Sequence, residues 1–190
     1  MNLKCEKCGA ELEPNAKFCT NCGEKVSSKA IEQQAIKQYE GLGGWLILVG
    51  IGVVLSPFRM LADVSKTYLP IFKNGTWEAL TNPSSEFYNS YFSVVLTGEI
   101  IFNSIMILLS FYMIYLFFQK KKLFPKFYIW TLVISFIFII LDALIVSAVF
   151  PDTKVMDIDT AKELFRIFIV SIIWIPYMIK SKRVKATFVR

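Results

Sequence analysis

The chain has 190 residues, 55% of them hydrophobic and 17 of them phenylalanine, with a formal net charge of +6. Its apolar residues gather in long stretches almost free of charge, which excludes an ordinary soluble globular domain and points to an all-α integral membrane protein. The absence of histidine removes the commonest general base and the commonest nitrogen ligand for metals.

The first element is a pair of cysteine knuckles. Cys5-Glu6-Lys7-Cys8-Gly9 and Cys19-Thr20-Asn21-Cys22-Gly23 contain all four cysteines, with ten residues between the pairs. Two Cys-x-x-Cys pairs at this distance suit one tetrahedral Zn2+ held by four thiolates. Without histidine, the ligand set must be Cys5, Cys8, Cys19 and Cys22. The glycine after each second cysteine permits the tight turn that aims backbone N–H groups at the sulfurs. Four protein ligands leave no position for a catalytic water, so the ion is read as structural. Residues 1–25 are too few to bury a core that folds alone; metal binding would supply the folding free energy, on the order of 10–16 kcal/mol. Two disulfides are the alternative. They need an oxidising compartment, and no cleavable signal peptide precedes Cys5. The runs Lys4-Cys5-Glu6-Lys7-Cys8-Gly9-Ala10-Glu11-Leu12 and Ala16-Lys17-Phe18-Cys19-Thr20-Asn21-Cys22-Gly23-Glu24-Lys25 resemble the short bacterial zinc-ribbon family. That resemblance implies a small β-rich module with a structural zinc and a protein-binding role.

Residues 26–40 place Ile31, Ala35, Ile36 and Tyr39 at helical spacing, which reads as an amphipathic linker at the membrane surface or as a flexible tether. Four apolar spans follow in residues 41–190, at about 42–61, 92–118, 127–150 and 160–180. They predict a four-transmembrane-helix bundle. The last span takes its start from the capping box Thr160-Ala161-Lys162-Glu163. A soluble four-helix bundle would keep a polar face on each helix, whereas Ile129 to Leu141 offers only Thr131 and Ser135. The 62–91 loop, with Phe72, Trp77, Leu80, Phe87, Tyr88 and Tyr91, reads as a segment packed over the bundle mouth, or as a ligand lid. The acidic residues Asp152, Asp157, Asp159 and Glu163 do not fit a calcium-binding loop pattern.

Lysine and arginine set the orientation. The region before the first span, the link carrying Lys120, Lys121, Lys122 and Lys126, and the tail fall on one side, with 15 of the 21 basic residues. Both termini are therefore expected in the cytoplasm, which also suits a reduced four-thiolate site. In the tail, Lys180, Lys182, Arg183 and Lys185 read as contacts for lipid headgroups or a partner, or simply as topology anchors. Trp45, Trp130 and Trp174 fall at expected interfaces, Pro176 can kink the last span, and Gly41, Gly43, Gly44, Gly50 and Gly52 permit close helix approach.

Gly41-Leu42-Gly43-Gly44-Trp45-Leu46, Tyr115-Leu116-Phe117-Phe118-Gln119-Lys120-Lys121-Lys122-Leu123-Phe124-Pro125 and the closing Trp174-Ile175-Pro176-Tyr177-Met178-Ile179-Lys180-Ser181-Lys182-Arg183-Val184-Lys185-Ala186-Thr187-Phe188 resemble a bacterial membrane family, domain of unknown function 2569. The likeness spans roughly 41–189 and implies a four-span inner-membrane protein, with no activity attached.

Glu99 and Asp142 interrupt the second and third spans at similar depths on antiparallel helices. A charge at the bilayer centre costs at least about 2.5–3.5 kcal/mol, so such groups face inward and pair. The sequence predicts a polar cluster of Glu99, Asn103 and Asp142 with Arg166 and Arg59 in the outer half. It would serve either as a proton or cation site or as a structural salt-bridge cluster. Two functions follow: a non-enzymatic adaptor or regulator whose ribbon binds a cytoplasmic protein, or a small transporter or channel component using the acidic cluster. Four spans without an internal repeat weigh against transport by a monomer, which a homo-oligomer would remedy. An intramembrane enzyme is disfavoured because histidine, phosphate-cradling glycine loops and a Gly-x-Gly-Asp motif at Asp142 are all missing. Nucleic-acid binding is not expected of a ribbon whose lysines and glutamates nearly balance.

Overall fold

The computed structural model describes residues 3–5, 7–13, 16–26, 39–149 and 158–190. Ile31, Ala35 and Ile36 of the expected linker, and Asp152 and Asp157, lie outside the described residues.

The N-terminal module is held by very short strands. β1 (Leu3–Lys4) pairs antiparallel with β2 (Glu11–Leu12), placing Leu3 opposite Leu12. A second hairpin carries a single bridge between Phe18 and Lys25. Among the described residues the module buries Cys5, Leu12 and Cys19, with Ala10 and Val26 packed against them.

The helical domain contains α1 (Trp45–Lys73), α2 (Thr76–Thr81), α3 (Phe92–Phe118), α4 (Phe124–Val149), α5 (Ile158–Lys180) and α6 (Lys182–Thr187). Among the described residues, α1, α3 and α4 are long and apolar enough to cross a membrane. α5 has sufficient length, but Asp159, Lys162, Glu163 and Arg166 occupy its first three turns. The segment is already helical from Ile158, so the capping-box residues lie within the helix.

α1 departs most from the expected boundaries. It runs to Lys73, not Leu61. Its 29 residues span about 43 Å, against about 30 Å of hydrocarbon, so α1 must tilt or extend past the hydrocarbon layer. Pro57 and Pro70 lie inside it. Pro57 offers no N–H to the carbonyl of Val53, and the Ser56 hydroxyl donates to that carbonyl instead, at 2.9 Å. The expected 62–91 loop is therefore half helix. Phe72 packs on Trp77 of α2 at 5.4 Å, and Trp77 on Phe92 at 6.2 Å, so aromatic contacts lead from α1 into α3. The Asn89 amide donates to the carbonyl of Val149, fastening this segment over the end of α4.

Packing follows an antiparallel register. Gly50 lies against Phe117, Phe58 against Phe111, and Tyr68 against Glu99, so each step up α1 matches one down α3. Phe124, Phe127 and Phe138 of α4 meet Phe117, Tyr112 and Phe102 of α3 in the same manner. A Cβ at Gly50 would stand 2.8 Å from the Phe117 ring, so this glycine permits the close approach of α1 and α3. Gly52 faces open space and plays no such part. α4 packs along α5. α5 also meets α1, through Trp45 against Trp174 at 6.4 Å and through Arg59 with Glu163.

The buried core sits at the basic end. Leu46, Val49, Val53, Met113, Leu116, Phe117, Phe124, Met178, Val184 and Phe188 form one cluster. Phe188 stacks on Phe124 at 4.5 Å. The tail is thus docked. Thr187 is fully buried; its hydroxyl donates to the Gly41 carbonyl and accepts from the Gly41 N–H, both at 3.1 Å. The outward helix faces are apolar, with Trp45 65% and Trp130 63% exposed, as lipid-facing and interfacial side chains would be.

Candidate metal centre and intramembrane polar cluster

Each knuckle is built the same way. The Cys5 N–H donates to the Ala10 carbonyl and the Gly9 N–H to the Cys5 carbonyl, at 2.9 and 2.8 Å. In the second knuckle Cys19 pairs with Glu24 and Gly23 with Cys19, at 2.8 and 2.9 Å. Gly9 and Gly23 have φ of 72° and 71°, the left-handed conformation that glycine adopts without a Cβ clash. The two turns face each other, and the Lys7 ammonium donates to Glu24 across the gap at 2.8 Å.

This arrangement brings Cys5, Cys8, Cys19 and Cys22 together, with all four Sγ atoms within 4.8 Å of one another. Cys5 to Cys22 and Cys8 to Cys19 are each 3.6 Å, and all four are free cysteines. Four sulfurs bound tetrahedrally to zinc at about 2.3 Å stand about 3.8 Å apart, so the residues fit a metal ion. The backbone N–H of Ala10, with a hydrogen bond from Cys22, lowers the Cys8 thiol to about 6. The backbone N–H of Glu24 favours the Cys22 thiolate too, but burial and the neighbouring thiols outweigh it and push Cys22 up to about 12. Four thiolates crowd one another; a divalent cation at their centre removes that conflict.

The intramembrane residues divide into two groups. In the first, Tyr68 of α1 donates to Glu99 of α3 at 3.2 Å. The Asn103 amide donates to the Tyr68 hydroxyl at 3.0 Å and to the Glu99 carbonyl at 2.9 Å. The α3–α4 register brings Asp142 of α4 beside Glu99. Tyr68 is 8% exposed, although it falls in the 62–91 stretch that the sequence reads as a loop. A helical signal was present: Val49, Val53, Pro57 and Tyr68 share one face of α1, the last three turns beyond Pro57.

The second group holds the two arginines expected in the first. Arg59 lies 3.4 Å from Asp63 and donates to Glu163 at 3.4 Å, and Arg166 pairs with the same Glu163. The expected single cluster therefore becomes two, because Glu163 stands one turn before Arg166 on α5 and faces Arg59 across to α1. These pairs are substantially exposed and add little stability.

The basic tail also differs from a uniformly free surface. Lys180, Lys182 and Lys185 are exposed, but Arg183 lies over the glycine turn, its guanidinium 3.1 Å from where a Gly43 Cβ would stand.

No curated protein and no solved structure matches the chain. Residues 4–26 match the zinc-ribbon domain model, the stretch whose four thiols converge. Residues 39–189 match the model described as "Protein of unknown function (DUF2569)", covering every described helix, and the chain therefore belongs to the DUF2569 family, carrying a zinc-ribbon domain ahead of it.

Proposed function

We propose that this protein is a non-enzymatic membrane adaptor or regulator. One structural zinc ion staples the ribbon, which binds a cytoplasmic protein partner, while the helical domain anchors it. The observation that carries the reading is the closed set of four thiols on a separate module. A ligand set with no open position suits a docking fold, not hydrolytic chemistry. In this reading α5 is the fourth span, paired along α4, and the domain sits in a bacterial inner membrane with both termini cytoplasmic. In-cell crosslinking and pull-down of the intact protein against a form lacking residues 1–25 tests the adaptor role. Loss of a specific crosslinked partner supports it; an identical partner set removes the ribbon from the explanation.

A second reading, a small transporter or channel component, is favoured by the Tyr68–Glu99–Asn103–Asp142 group alone. Paired carboxyls between helices can hold a proton or cation, and a homo-oligomer would supply the path that one chain lacks. Glu99→Gln and Asp142→Asn in proteoliposomes separate the readings. Normal assembly with loss of an ion flux supports transport; misassembly without specific flux loss counts against it.

A further inference from the structure

From 100 to 141, and again after Glu163, the chain has no acidic residue. The charged side chains of 119–128 and 177–190, which form one end of the helical domain, are therefore all lysine or arginine. There, where α6 turns back against α4, lies a cleft of about 390 Å³. Lys122, Lys126 and Lys185 stand on its rim, and Ile129, Val184 and Phe188 are among its apolar walls. The rim is held in place. The Lys122 N–H donates to the main-chain oxygen of Arg190 at 2.7 Å, and Val184 and Phe188, on either side of Lys185 in the chain, are buried. Lys126 lies in the first turn of α4, where its charge opposes the positive end of the helix dipole. Three cations and a helix N-terminus around one cleft, with no carboxylate lining it, call for an anion.

The walls narrow the class of anion. Ile179, also lining the cleft, is 55% exposed, and Trp130, beside Ile129, is 63% exposed, as an interfacial tryptophan would be. The cleft is thus charged on one side and apolar on the other. We propose that it binds an anionic glycerophospholipid, with the phosphate between Lys122, Lys126 and Lys185 and the start of an acyl chain along Ile129 and Ile179. The exposed Lys180 and Lys182 stand outside it.

Native mass spectrometry of the full chain, released from micelles doped with equal phosphatidylglycerol and phosphatidylcholine, tests this. The protein should retain phosphatidylglycerol preferentially. Lys122→Gln/Lys126→Gln/Lys185→Gln should lower that preference by about a hundredfold, the scale expected for losing three basic contacts. Lys180→Gln/Lys182→Gln/Arg190→Gln removes the same charge outside the cleft and should keep the preference. Equal loss in both variants would assign the effect to net charge and overturn the site. So would displacement of the lipid by inorganic phosphate at equal concentration, or equal retention of the two lipids by the unaltered protein, which needs no variant to fold.

Discussion

The ribbon and the helical domain reach order by opposite routes. Among its described residues the ribbon has three that are buried, two of them cysteines, and two strands of two residues each. Nothing in that inventory offsets the conformational entropy of its backbone, so its order must rest on the ion its thiols fit. The helical domain has other sources of order. Its backbone is satisfied within helices, its outward side chains are apolar, and a packed cluster at the basic end forms its buried core. The first region should fail all at once on loss of a ligand, the second by increments.

Metal removal is the largest lever. Chelation, or Cys19→Ser at a buried ligand, should abolish metal binding and unfold the ribbon, a loss on the order of 10–16 kcal/mol of metal-coupled free energy. Metal content by elemental mass spectrometry should fall to zero. All four tryptophans lie in the helical domain, so tryptophan fluorescence follows that region alone. Its unfolding midpoint should not move. A shift beyond about 3 °C, roughly 1 kcal/mol for a chain of this size, would break the separation of the two regions.

The converse comes next. Phe124 is fully buried among Phe117, Tyr128 and Phe188. Phe124→Ala should destabilise the helical domain by about 3–5 kcal/mol in detergent unfolding, with metal content unchanged. Gly50→Ala should cost less, about 1–3 kcal/mol, because its Cβ must displace the Phe117 ring. Gly52→Ala, facing open space, should be nearly neutral and serves as the matched control.

What could be read from the sequence divides along the same line. The knuckles were legible because a metal site within 23 residues is local, and its ligand types and spacing are its geometry. The span from Phe92 to Phe118 was legible because lipid demands an unbroken apolar helix. The sequence ends the first span near Leu61 because Arg59 resembles the end of a span, yet a helix can continue once its residues leave hydrocarbon. The docking of Thr187 onto Gly41 joins residues 146 apart, which no local pattern encodes. The partition of the charged residues was missed for a related reason: it depends on the register between α1, α3 and α5, not on depth along each helix.

That register gives the smallest and most discriminating test. Tyr68→Phe removes one hydroxyl that donates to Glu99 and accepts from Asn103, while Asn103 keeps its bond to the Glu99 carbonyl. Interhelical hydrogen bonds of this kind contribute about 0.6 kcal/mol on average and at most about 1.7, so the loss should fall in that range. Arg59→Gln should change stability by less, because its partners are exposed. A double-mutant cycle then decides whether the half-buried group around Tyr68 acts as a unit. Tyr68→Phe with Glu99→Gln should be non-additive by about 0.5 kcal/mol or more, and Tyr68→Phe with Arg59→Gln additive. Coupling in the second pair would mean that the arginines work with Glu99 after all, and that the two groups are a single cluster.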